Sequence, residues 1–301
     1  MAEWILLAIA LYFLISKLRD FSLEDFAHLE LSFAEVTLTI ILFLTGWGLN
    51  LLLEAQNWKI VQNFLRPIRF RTAFLDNLHA SALNFISPMM SGEFVARHRT
   101  QTNKKDKKRS VFLSLWMHWP KHFSKISMAL IGSFFILPSK YLFITIPALL
   151  TTWFIYIKMR TILNIFGDKL NRFVPVEHII FKDRPLLKEK LWLLVANSLR
   201  ILAYTLQMSA CIYAFTGQLS PKIIALLPVN TLLMAVIPSF QAMGFALNSF
   251  VAILLFENLI PAEPLTLAVT LVWLCNVAFP AFGGIILPYL RPRYRLIRKK
   301  D

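Results

Sequence analysis

Arg200 sits within an apolar run, and Asn197, Arg200, Tyr204, Gln207 and Cys211 follow one another at spacings of 3, 4, 3 and 4. Such spacing lines them along one helix face. An arginine in an apolar medium is costly, so it faces a cavity or a bundle interior and marks the path of a polar or anionic substrate. Pairing with backbone carbonyls or with Glu54 is the alternative use of that charge. His118, Lys121, His122 and Lys125 recur at spacings of 3, 1 and 3 and form a second cationic stripe. It can meet a lipid phosphate in a cavity, or its lysines can snorkel to the interface if the membrane span begins only near His118. His118 and His122 stand four apart, as zinc ligands do, but no HExxH glutamate accompanies them, and no metal is expected.

A third group follows a break in the chain, where Asn84, Ser87, Pro88 and Gly92 precede Glu93 and Arg97. A helix starting near Ser87-Pro88 inside the protein presents free N–H groups and a positive dipole end to a buried cavity, where an anion can dock. Glu93 and Arg97, four apart, either pair structurally or leave Arg97 near the cytoplasmic mouth to meet a phosphate. A weaker stripe of Trp47, Asn50, Glu54 and Asn57 suits hydrogen bonding between helices. There is no acid pair, nucleophile–base arrangement or glycine-rich phosphate loop. No catalytic residue and no cofactor are expected, and the chain does not read as an enzyme.

The elements that position these residues follow from composition. Of 301 residues, 57% are hydrophobic and 16% charged, which places the chain in the membrane class. A net charge of +15 could suggest nucleic acid. The charge comes instead in short blocks between apolar segments, which is how a membrane protein is oriented and meets an anionic leaflet, so nucleic acid is excluded as a partner. Cys211 and Cys275 both lie in apolar runs and offer neither a disulfide framework nor a zinc site. The first apolar run has no basic residue before it and no cleavage site after it, and is read as a short first span rather than a signal peptide.

The expected fold is all-α, a single polytopic membrane domain over 1–301. About six full spans are expected near 3–18, 34–56, 110–137, 141–158, 191–216 and 264–290. The blocks at 57–72 and 97–109 are strongly basic, residues 158–190 hold eight basic and four acidic residues, and the tail 291–301 has six basic residues and one acid. These read as cytoplasmic. Residues 159–190 are read as a cytoplasmic surface segment or linker. The acidic stretches at 19–35 and 257–263 fit the outer face, so both termini are cytoplasmic in a cell membrane.

With these loops placed, segment 73–95 starts and ends inside, and segment 222–256 starts and ends outside. The first has Asn84, Ser87, Pro88 and Gly92 near its middle, the second Pro228, Pro238, Ser239, Gln241 and Gly244. Helix breakers at membrane depth are tolerated where protein or a water-filled cavity surrounds them. Two oppositely oriented re-entrant hairpins, an inverted repeat, are therefore expected. Two short ordinary spans, 222–238 and 243–256, are the alternative for the second.

The pattern Asn84-x3-Pro88-x3-Gly92-Glu93-x3-Arg97 resembles a stretch of the flippase-like family named for the transmembrane region of lysylphosphatidylglycerol synthases. Pro238-Ser239-Phe-Gln-Ala-Met-Gly244 is similar to that family's second, proline- and glycine-rich motif. Leu247 or Asn248 stands where the family has an acid, and Trp116 to Pro120 where it has a Glu-Arg pair. The resemblance implies movement of lipids or lipid-linked molecules between leaflets. The chain ends at Asp301, soon after Leu290, so the family's aminoacyl-lipid synthase activity is not expected. The substrate is then a phospholipid or lipid-linked molecule, held by Asn84, Ser87, Pro88, Gly92, Glu93, Arg97, His118, Lys121, Lys125, Arg200, Tyr204, Gln207, Pro238, Ser239 and Gly244. A membrane-embedded transferase on a lipid-linked donor, drawing on Asp76, His79 and His118, is the alternative. A homo-oligomer or a non-catalytic partner of another membrane enzyme also stays open.

Overall fold

Ser32 and Glu35 form a capping box: the Glu35 N–H donates to Ser32 Oγ at 3.3 Å, and the Ser32 N–H donates back to the Glu35 carboxylate at 2.8 Å. Two orphan donors are thereby satisfied, and helix α1 runs from Phe33–Gln62. The computed structural model describes residues 31–87, 91–99, 104–138, 141–170, 187–237 and 241–290, with Tyr12, Ile15 and Ser16. After α1 come α2 (Phe70–Ile86), α3 (Ser91–Arg99), α4 (Lys104–Phe134), α5 (Leu142–Leu170) and α6 (Leu187–Thr216). Gly217, at φ 65°, stops α6 in the left-handed region that glycine enters freely. Ser220 then caps α7 (Pro221–Val236), which has proline in its first turn. A short 3-10 turn at Gln241–Met243 leads into α8 (Gly244–Phe256), followed by α9 (Ala262–Trp273), a π-turn at Leu274–Ala278 and α10 (Phe279–Leu290). No strand occurs among the described residues.

Among the described residues, three helices are long and apolar enough to cross a membrane: Phe33–Gln62, Lys188–Thr216 and Ala262–Ile286. The outer surface agrees with them. Leu38, Ile41 and Leu44 of α1 and Phe143, Leu150 and Phe154 of α5 are all exposed, and a protein in water avoids so wide an apolar face. The chain is an all-helical membrane protein.

The segments expected at 34–56, 110–137, 141–158, 191–216 and 264–290 all fall on helices. Segment 3–18 and the tail 291–301 lie outside the described residues, apart from the three N-terminal positions named above. Two boundaries differ. Helix α4 begins at Lys104, because the basic block Lys104–Arg109 contains no breaker and lysine and arginine are good helix formers. Helix α5 continues to Leu170, so the first part of the expected surface segment 159–190 extends a helix; residues 171–186 are outside the described set.

The remaining helices pair as two bent-back hairpins. In the first, α2 and α3 are joined across Asn84, whose Oδ1 accepts the Glu93 N–H, and across Asn77, which accepts from Arg97. Gly92 lies against the Leu83 carbonyl, where a Cβ would collide. In the second, the Asn230 amide of α7 donates to Asn248 Oδ1 of α8 at 3.0 Å. The hairpins touch near their turns. Trp273 Nε1–H donates to the Gln241 carbonyl at 3.0 Å, and its ring packs against Phe85 of α2 and Phe245 of α8. A core of Met208, Ile212, Leu227, Phe256, Leu265 and Val269 fixes α6, α7, α8 and α9 to one another.

Candidate functional site

The polar residues of α1, α4 and α6 converge. Glu54 of α1 accepts from Lys121 Nζ of α4 at 2.8 Å and forms an ion pair with Arg200 of α6. Arg200 Nε–H also donates to Asn50 Oδ1 at 3.0 Å and its terminal NH2 group to Asn197 Oδ1 at 3.4 Å. Arg200 thus takes up the alternative read from the sequence, pairing with Glu54. Lys125, one turn beyond Lys121, shares the field of Glu54 and Arg200, and among the described residues it forms no salt bridge of its own. The side chains of Lys121, Glu54 and Arg200 stay 16%, 21% and 22% exposed. A polar ligand can therefore reach them.

From this cluster a hydrogen-bond ladder continues along α6. Asn50 Nδ2–H donates to Asn276 Oδ1 at 2.7 Å, and Asn276 Nδ2–H donates to Gln207 Oε1 at 2.6 Å. Asn276 lies in the π-turn, whose Cys275 carbonyl accepts from Trp47 Nε1–H at 2.8 Å. Such single π-turns often mark functional positions in helices. Tyr204 bonds to Asn230 and Asn248, so the same stripe of α6 reaches the second hairpin. Each of Arg200, Tyr204 and Gln207 has a polar partner on another element, as unsatisfied groups in an apolar interior are costly.

The first hairpin brings a second ion cluster beside the first. Glu93 of α3 pairs with Arg97 at 3.3 Å and with His118 Nε2 of α4 at 3.5 Å. Arg97, 1% exposed, lies over the Trp58 ring at 3.7 Å, a cation–π contact, and Trp58 Nε1–H donates to Asp76 at 3.3 Å. Glu93 and Arg97 are thus a buried structural pair, and Arg97 is not at an open mouth. Asp76, offered to the transferase alternative, is engaged by Trp58.

Several expected positions differ. Ser87 caps the C-terminal end of α2, and the described part of the next helix runs from Ser91; residues 88–90, where the sequence places its start, lie outside the described residues. The Glu93 N–H near its start is taken by Asn84, so that donor is not free for an anion. The stripe on α4 also divides. His118, Lys121 and Lys125 face the cluster, while His122 is exposed, 6.4 Å from the His118 ring. Gly244 opens α8 beside Trp273. Pro88, Pro238 and Ser239 lie outside the described residues.

Sequence reasoning missed Asn276 and gave Glu54 only a partner's role. A signal existed for Asn276, the lone amide in the apolar stretch from Leu265 to Pro280. Asn230 and Asn248 carried the same signal, each the lone amide of its apolar helix, whereas Asn77 shares a helix with Asn84 and did not. A separate cavity of about 400 Å³ opens between α1 and α6 near Glu35 and Tyr213. It is lined largely by apolar residues, among them Leu38, Leu42, Leu206 and Ala210, and includes none of the expected site residues.

Counting charges across both clusters decides what they can hold. Arg97, Lys121, Lys125 and Arg200 face Glu54 and Glu93. Even with Asp76 included, one cation is in excess before His118 is considered. A site of this sign, walled by apolar helices, attracts an anion. No protein-family model matches the chain, and no curated protein matches it.

Proposed function

We propose that the chain moves a phosphate-bearing lipid or lipid-linked molecule between the leaflets of the cytoplasmic membrane. The carrying observation is the ion cluster of Glu54, Lys121, Lys125 and Arg200, cationic in balance and partly exposed within an all-helical membrane protein. A polar headgroup must shed water to cross, and fixed charges and amides that replace that water lower the barrier. Arg200 lies more than three helical turns from the start of α6, roughly 20 Å along its axis. Its ladder to Asn50, Asn276 and Gln207 continues the polar track, and the apolar cavity between α1 and α6 suits an acyl chain.

In this reading about six spans cross the membrane with both termini in the cytoplasm, and the two hairpins are re-entrant and oppositely oriented. Their short arms support it: α2, α7 and α8 have 17, 16 and 13 residues, against about 20 for a full crossing. The resemblance of Asn84 to Arg97 and of Pro238 to Gly244 to the flippase-like motifs agrees with it. No nucleotide is involved, and movement is downhill, ion-coupled or drawn by later consumption of the lipid.

The test is leaflet exchange of fluorescent anionic and zwitterionic phospholipids in proteoliposomes. Exchange is expected to depend on the protein and to collapse in Arg200→Ala. Rates equal to empty liposomes for every lipid would overturn the reading, and unaltered exchange in the variant would remove Arg200 from the path.

A further inference from the structure

Glu54 occupies an unusual position among its neighbours. One carboxylate accepts from Lys121 at 2.8 Å and pairs with Arg200, and Lys125, one turn beyond Lys121 on α4, feels its charge. It comes from a third helix, α1, whereas its cationic partners come from α4 and α6. Its side chain is 21% exposed, unlike that of Glu93 at 6%. A carboxylate held by an ammonium and a guanidinium has the same binding chemistry as one edge of a phosphate, which takes up the planar fork of arginine and the point charge of lysine.

We infer that Lys121, Lys125 and Arg200 form a binding site for a phosphate ester, and that Glu54 is its resident competitor, an internal anion that the ligand displaces. The inference deepens the translocation reading and rests on it for the ligand's source, a lipid headgroup. A site of three cations left empty inside a membrane protein would be strongly destabilised by mutual repulsion. Glu54 removes that cost between substrates, and for the same reason it weakens substrate binding, because the ligand binds only to the fraction of molecules in which Glu54 has let go. Weak binding suits a carrier, which must release what it takes up. The neighbouring amides fit the exchange: Asn50 and Asn197 hold Arg200 through Nε–H and one terminal nitrogen, so the guanidinium keeps its place when the carboxylate leaves.

The experiment is equilibrium binding by calorimetry on the full chain in detergent, with dihexanoyl phosphatidylglycerol and, separately, inorganic phosphate as probes. Glu54→Gln is expected to bind the lipid about tenfold more tightly than the native protein, as expected when a competitor occupying about nine-tenths of the molecules is removed. Glu54→Gln with Arg200→Gln should lose that binding. Glu257→Gln adds the same net charge at an exposed position just beyond α8, and should leave the affinity within about twofold, since screening acts over about 8 Å.

Equal or weaker binding in Glu54→Gln overturns the inference, as does an equal gain in Glu257→Gln. If Glu54→Gln does not fold, Glu54→Asp decides: one methylene shorter, it cannot span Lys121 and Arg200, so tighter binding is expected and unchanged binding overturns. Binding of inorganic phosphate alone, with no response to the lipid, would assign the site to a free anion and overturn the lipid source. Because binding is read without transport, lipid exchange with no Glu54 dependence of binding sinks only this inference. Tight binding without exchange sinks only the translocation reading.

Discussion

Glu54 and Arg200 show why deleting different members of one cluster has unequal consequences. Removing Arg200 leaves Glu54 with Lys121, whereas removing the Glu54 charge leaves Lys121, Lys125 and Arg200 facing one another. Breaking a buried pair on one side costs about 3–5 kcal/mol when nothing compensates. Partial exposure and the remaining partner reduce that figure here. Glu54→Gln is therefore expected to lower the thermal unfolding midpoint more than Arg200→Gln does, and a melt of the purified variants in one detergent checks the order. The reverse order would mean that solvent already screens the cations. Asn276 poses the same question without charge. It donates to Gln207 and accepts from Asn50, so Asn276→Leu strands two amides at a cost of about 1–3 kcal/mol. Its melt should fall clearly below native, and an unchanged midpoint would mean water replaces the lost bonds.

Hairpins depend on close approach more than on charge. Gly92 lies against the Leu83 carbonyl with no room for a Cβ, whereas Gly48 has nothing within 4 Å of where one would stand. Gly92→Val is expected to pry α3 from α2 at a cost of about 3 kcal/mol. Gly48→Ala should be neutral or gain about 0.5 kcal/mol from helix propensity. Gel filtration and thermal melts of the two variants test the contrast, and equal behaviour would refute the packing argument. The breaks between these short helices were legible because they carry Asn84, Ser87 and Gly92 in one case and Gln241 and Gly244 in the other. The stripe on α6 was legible from its helical spacing. What the sequence could not supply was which groups meet. Asn84 bonds across nine positions and Asn50 across 226, and only tertiary packing brings such residues together.

At the scale of the whole molecule the proposal depends on which side of the membrane each hairpin opens. Lys and Arg crowd the ends of the first, from Lys59 to Arg71 and from Arg97 to Arg109, while Glu257 and Glu263 follow the second. Under the charge bias of membrane insertion the proposed topology puts these ends on opposite faces. Single cysteines at the exposed positions Pro67 and Lys188 are expected to resist an impermeant maleimide applied to intact cells and to react once the membrane is opened. Cysteines at exposed Gln218 and Glu257 should react from outside. Native Cys211 and Cys275 are buried, which keeps the background low. Those four sites fix the ends alone, because a pair of full spans would also return to its starting face. The tips separate the two cases. In a re-entrant second hairpin Gln241→Cys is closed to a reagent from the cytoplasm, while Ser87→Cys, at the tip of the first, is closed from outside. Reaction of Gln241→Cys from the cytoplasm would make α7 and α8 ordinary crossings, and the proposed re-entrant form of the second hairpin would fall. The ion cluster would still be cationic, but it would lack the opposed half-entrances that let a headgroup enter from one face and leave by the other.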